Sequence, residues 1–105
     1  MKSELKKAIK DLIEVVDDEL HNEDNWYVRH FMPEEGTHTA YDKYENRNYK
    51  YNITRQDALE EGQYGLLGCK DNVYLQEFIT EGKILDKVVE LVRQIGWEIY
   101  NGKNN

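Results

Sequence analysis

Residues 62–78, GQYGLLGCKDNVYLQEF, decide how the architecture is read. Two apolar runs, Tyr64–Cys69 and Val73–Phe78, flank Asp71-Asn72, a pair suited to a tight turn. That pattern predicts a β-hairpin. Gly65 and Gly68 weaken the first run as a strand, because glycine offers no side chain to pack. Just upstream, TRQDALEEG (54–62) carries Thr54 as an N-cap, Asp57 three residues on, and Gly62 suited to a left-handed stop. These signals predict a short helix that ends at Gly62.

Working back toward the N-terminus, NWYVRHFM (25–32), THTAYDKY (37–44) and YKYNIT (49–54) are rich in aromatic and β-branched residues. PEEG and ENRN separate them as turns, so the three predict a meander. Pairing Met32 with Thr37 and Tyr44 with Tyr49 sorts the side chains onto two faces. One holds Tyr27, Phe31, His38, Ala40, Tyr49, Tyr51 and Ile53 and is the expected core side. The other keeps Trp26, Val28, Met32 and Tyr41, too apolar for an ordinary solvent face, so it is expected to be partly covered or to bind something.

Both ends of the chain have helical spacing. Leu5, Ile9, Leu12, Ile13, Val16 and Leu20 predict a helix over 3–21. Ile84, Val88, Leu91, Val92, Ile95 and Ile99 predict another over 80–100, with a frayed tail at 100–105. The expected fold is α+β in a single domain, residues 1–105. An antiparallel sheet of about five strands, a meander plus a hairpin, would carry the N-terminal and C-terminal helices on one face and a short middle helix.

Composition narrows function. Eight tyrosines and two tryptophans in 105 residues argue against disorder. A net charge of −7 makes direct nucleic-acid binding and attachment to an anionic membrane unfavourable. No apolar run is long enough to span a bilayer, and the charged N-terminal stretch MKSELKKAIKDLIE does not look like a secretory signal. The lone cysteine, Cys69, cannot form an intramolecular disulfide, which makes cytoplasmic residence the expectation.

The charge is unevenly spread. Residues 1–10 hold four lysines against Glu4, whereas residues 11–35 hold nine acids against Arg29 alone. Residues 36–105 are near balance, with eleven acids and nine bases. Several early acids occupy the C-terminal end of the first helix, where the partial charge of unpaired carbonyls disfavours anions by a few tenths of a kcal/mol each. A solvated face tolerates that cost; so does a surface that meets a cationic partner.

No catalytic motif, cofactor fingerprint or metal-ligand spacing occurs. The glycines of GQYGLLG fit neither a phosphate-binding loop nor a dinucleotide fingerprint. His21, His30, His38 and Cys69 have no paired spacing, so no metal, cofactor or enzymatic activity is expected. One short stretch has an outside parallel. PEE (33–35) and HTAYD (38–42) are similar to a segment of the phage uracil-DNA glycosylase inhibitors, which are acidic DNA mimics. About five contiguous residues match, the spacing differs and the C-terminal third has no counterpart, so no family assignment follows.

The leading expectation is a small acidic, non-catalytic protein that neutralises a partner protein by docking on its basic site. The expected forms are a phage-type counter-defence inhibitor, with a nucleic-acid-mimicking surface as one version of it, or a toxin-immunity protein. The expected docking residues are Glu14, Asp17, Asp18, Glu19, Glu23, Asp24, Glu34 and Glu35, with Trp26 and Tyr41 as apolar anchors. Two rivals are carried. One is a homodimer, formed by the sheet face or by the C-terminal helix with Trp97 and Tyr100, whose acids only aid solubility. The other is a ligand-binding cleft or enzyme beside the aromatic sheet, using His30, His38 or Cys69.

Overall fold

The structure is a computed structural model, and residues 2–103 are described. They form five helices and one hairpin: α1 (Ser3–Leu20), α2 (Trp26–His30), β1 (Gly36–Asp42), β2 (Arg47–Ile53), α3 (Arg55–Gly68), α4 (Asn72–Thr80) and α5 (Gly82–Lys103). The chain divides into two compact units, Met1–Asn22 with Asp71–Asn105, and Glu23–Lys70. The expected five-stranded α+β sheet is therefore wrong. Two antiparallel strands are present among the described residues, and helix dominates.

In the Glu23–Lys70 unit, the expected first strand is instead α2. Asn25 caps it, its Oδ1 accepting from the backbone N–H of Tyr27 at 3.0 Å and of Val28 at 3.3 Å. That cap and the burial of Tyr27 and Val28 outweigh the weak strand preference of aromatic and β-branched residues. α3 runs past Gly62 and Gly65 to Gly68, so the expected stop at Gly62 and the expected strand over Tyr64–Cys69 are also wrong. The start of α3 is as predicted: Thr54 Oγ1 accepts from Asp57 N–H, and the Asp57 carboxylate accepts in return from Thr54 N–H.

The two glycines do not end this helix; they let another element approach. A Cβ on Gly62 would lie 2.7 Å from the Val28 carbonyl oxygen and would run into the Met32 side chain. A Cβ on Gly65 would lie 2.7 Å from Phe31 Cβ. α2 and the residues after it thus pack onto a glycine-floored side of α3. Ala58, Leu59, Gly62 and Leu66 are buried at helical spacing. Burying Val28 and Leu66 fully contributes on the order of 1.5–3 kcal/mol each.

The hairpin is where the sequence puts it, but in another register. Asp42 faces Arg47 and Tyr41 faces Asn48, so the turn is Lys43–Asn46 rather than ENRN. Asp42 Oδ1 accepts from the N–H of Tyr44 at 2.9 Å and of Glu45 at 3.3 Å, and Asn46 takes the left-handed conformation (φ 56°). Tyr41 donates its hydroxyl hydrogen to the Asn46 side chain. The pairing is displaced by four residues, an even number, so face membership survives. His38 and Ala40 stand with Tyr51 and Tyr49, while Thr39 and Tyr41 stand with Lys50 and Asn48.

In the other unit, α1 matches its predicted span to within a residue. Lys2, Glu4 and Leu5 share a cleft with Gln94, Trp97, Glu98 and Asn101, while Lys7 and Asp11 share one with Asp86, Lys87 and Glu90. α1 and α5 therefore run antiparallel. The expected strand over Val73–Phe78 is α4, capped by Asp71 Oδ1, which accepts from Val73 N–H at 2.9 Å. Asp71-Asn72 starts a helix there and does not turn a hairpin. Gly82 joins α4 to α5 at φ 57°, a conformation that suits glycine. Ala8, Phe78 and Ile84 are the buried apolar residues of this unit among those described. The tail expected at 100–105 is helical through Lys103; Asn104 and Asn105 lie outside the described residues.

Candidate functional site

The expected docking residues fall into two groups, one in each unit. On α1, Glu14, Asp17 and Asp18 are exposed on the outward arc, and Glu19 is half-buried. This group is partly answered by its own helix. Lys10 Nζ lies 3.8 Å from Glu14, one turn away, and His21 Nδ1 lies 3.4 Å from the Asp17 carboxylate. His21 Nδ1 is also 2.8 Å from the Asp17 carbonyl oxygen, at the helix end where a cation is favourable.

The second group converges. Glu23, Asp24, Glu34 and Glu35, separated by up to a dozen residues in the chain, line one shallow cleft with Met32 and Pro33. Arg29 and Arg55 line it too. Arg55 grips Glu23 with both arms of its guanidinium, Nε to Oε1 at 2.6 Å and Nη2 to Oε2. Arg29 lies 3.8 Å from Asp24. This cleft is a mixed-charge cluster and not an open anionic surface. The hydrogen bonds from Arg55 hold the Glu23 carboxyl below the usual glutamate range, and Arg55 is raised in turn.

A pH prediction follows with its sign. Because the folded value of Glu23 is depressed, the stabilisation from this pair is fully present above the ordinary glutamate range. It is lost as pH falls through the lowered folded value. Arg55→Ala should return the Glu23 carboxyl to the ordinary range in an NMR titration. It should also move acid unfolding of this unit to higher pH.

A third arrangement is a cleft beside the aromatic hairpin, where the sequence reading expected one but not with an acidic lining. β2 and α3 form a cleft of about 590 Å³ lined by Tyr51, Asn52, Ile53, Asp57, Glu60, Glu61, Tyr64 and Gly65. Asp57, Glu60, Glu61 and Tyr64 follow one another at i, i+3, i+4 and i+7, one face of a helix. Tyr64 is 83 % exposed, and Tyr51 stacks on His38 with ring centres 5.5 Å apart. Among the described residues, no lysine or arginine lines this cleft. Glu60 accepts from the Gln56 amide at 3.1 Å, and no ion pair reaches Glu60 or Glu61 among the described residues. The signal was legible as a run of acids on one helix face, but TRQDALEEG draws attention first to its cap. Truncating α3 at Gly62 also hid Tyr64.

The apolar anchors are both exposed. Trp26 stacks on His30, 5.2 Å between ring centres, and meets Tyr27 edge-on. Tyr41 stands on the outer hairpin face. His30, His38 and Cys69 do not line the cleft beside the hairpin. His38 Nε2 lies 2.7 Å from the Glu34 carbonyl oxygen, and Cys69 is half-buried at the end of α3. Among the described residues, no group of three or more His, Cys, Asp or Glu side chains could hold a metal ion. No described helix is long and apolar enough to cross a membrane.

No protein-family model, curated protein or solved structure matches the chain significantly.

Proposed function

We propose that this is a small non-catalytic binding protein that docks an acidic, aromatic surface onto a basic site of another protein. The observation that carries the reading is the β2–α3 cleft, where Asp57, Glu60 and Glu61 stand beside Tyr51 and Tyr64 with no lysine or arginine among the described residues lining it. Carboxylates attract a lysine or arginine, and a tyrosine face adds a cation–π contact worth roughly 0.5–1 kcal/mol at an exposed site. The net charge of −7 supplies a negative field that would steer such a partner. The docked protein acts sterically, by filling a basic groove. Neutralising a toxin, or blocking a groove that otherwise holds phosphates, as a phage-type counter-defence factor would, is the narrower form of this reading. Cytoplasmic residence goes with it.

The test uses a short arginine-rich peptide as probe. Glu60→Lys with Glu61→Lys should weaken its binding about tenfold or more at low salt and flatten the salt dependence. Asp57 is left intact because its carboxylate belongs to the helix cap. Unchanged affinity in this double variant would contradict the proposal.

A further inference from the structure

α5 carries two apolar stripes. Ile84, Val88 and Leu91 are buried or half-buried. Leu85, Val89, Val92, Gly96 and Ile99 form the second, and it is open: Val92 is 62 % and Ile99 56 % exposed. The steps between these five residues alternate four and three. That is the 3.5-residue period of a coiled-coil seam, narrower than the broad face of a helix lying on a core.

We propose that this seam pairs with the same seam of a second copy of the chain, the two α5 helices running antiparallel. The seam is self-complementary in one register, with the two-fold axis between Val89 and Val92. Val89 of each copy then meets Val92 of the other. Leu85 of each copy falls over Gly96 of the other, a large side chain over the one position with none. A Cβ on Gly96 would meet nothing within 4 Å, so the space that would receive Leu85 is vacant within its own chain. Asp86 and Arg93, both exposed, flank the seam on the same side, seven residues apart. In this register each Asp86 lies beside Arg93 of the other copy, and two-fold symmetry makes the match twice. Arg93 is 3.1 Å from Glu90 within its own helix, an exposed contact that is cheap to exchange. A parallel pairing would set Gly96 against Gly96 and leave a hole between the helices.

Sedimentation of the full chain over a concentration series tests this. The wild-type chain should pass from the 12.5 kDa monomer to a species of twice that mass. Val92→Glu should remain monomeric with an unchanged helical circular-dichroism signal. Asp86→Arg should weaken association roughly tenfold, and Asp86→Arg combined with Arg93→Asp should restore it. The charge pair keeps the test decisive if Val92→Glu perturbs folding. A wild-type chain that stays monomeric overturns the proposal and leaves the seam to a different partner. A charge swap no better than Asp86→Arg alone, or a well-folded Val92→Glu that still dimerises, overturns it as well.

Discussion

Gly62→Ala should destabilise the Glu23–Lys70 unit by about 2 kcal/mol, although alanine is the better helix former. The new methyl would sit 2.7 Å from the Val28 carbonyl oxygen and 3.3 Å from Val28 Cγ1. Met32, which it also meets, can turn aside. The carbonyl cannot, because it is part of the α2 backbone and accepts from Phe31 N–H at 3.2 Å. Helix propensity alone would favour alanine by up to about 1 kcal/mol at a mid-helix glycine. The sign of the change therefore separates a glycine kept for close approach from one kept as a helix stop. Gly68→Ala, at the end of the same helix, is the matched control: nothing lies within 4 Å of its Cβ, so it should not destabilise the chain. Urea unfolding followed by circular dichroism measures both; a neutral or stabilising Gly62→Ala would show that α2 does not press on α3 at this point.

The second large effect is at Leu66. It is fully buried, and Leu66→Ala should cost about 2–5 kcal/mol through lost burial and the cavity left behind. Tyr64→Ala should stay within about 0.5 kcal/mol, since Tyr64 is mostly exposed. The contrast tests the secondary structure directly. In a strand, residues 64 and 66 share a face and would both be covered or both be open. In α3 they are about 200° apart around the axis. Comparable costs at the two positions would favour the strand and contradict the helix.

Much of the fold was legible where one signal acted alone. The apolar stripe of α1 fixed its span, and the stripe of α5 fixed its middle, although the helix runs on to Lys103. β1 and β2 were recognisable from their aromatic and β-branched residues between turn signals, and the even displacement of their register kept His38, Ala40, Tyr49 and Tyr51 on one face, although Tyr49 and Tyr51 are exposed there and do not form the expected core side. The reading failed where glycine has two meanings. At Gly62 a helix stop and a close approach look the same in one sequence, at Gly65 a weak strand position and a close approach do, and only the partner, Val28 to Met32, tells them apart. Asp71-Asn72 was ambiguous in the same way, since Asp71 serves a turn or a helix cap equally well. NWYVRHFM failed for another reason: five helical residues carry too little periodicity to compete with their strand-like composition.

The candidate site was legible as composition and not as geometry. Crowding of acids between residues 11 and 35 is plain in the sequence. That Glu23 is gripped by Arg55, thirty-two residues away, is not, and it changes that acid from a docking group into part of a closed pair. The unanswered acids of α3 lie in a segment of near-balanced charge, where a count by segment gives no warning.

The most direct measurement is an NMR titration of the isotope-labelled chain with the arginine-rich peptide at low salt. The account predicts amide shifts confined chiefly to Asp57, Glu60, Glu61 and Tyr64 of α3 and to Tyr51–Ile53 of β2, lost in the Glu60→Lys, Glu61→Lys variant. Shifts centred instead on Glu14–Glu19 of α1, or no saturable shifts at all, would contradict it.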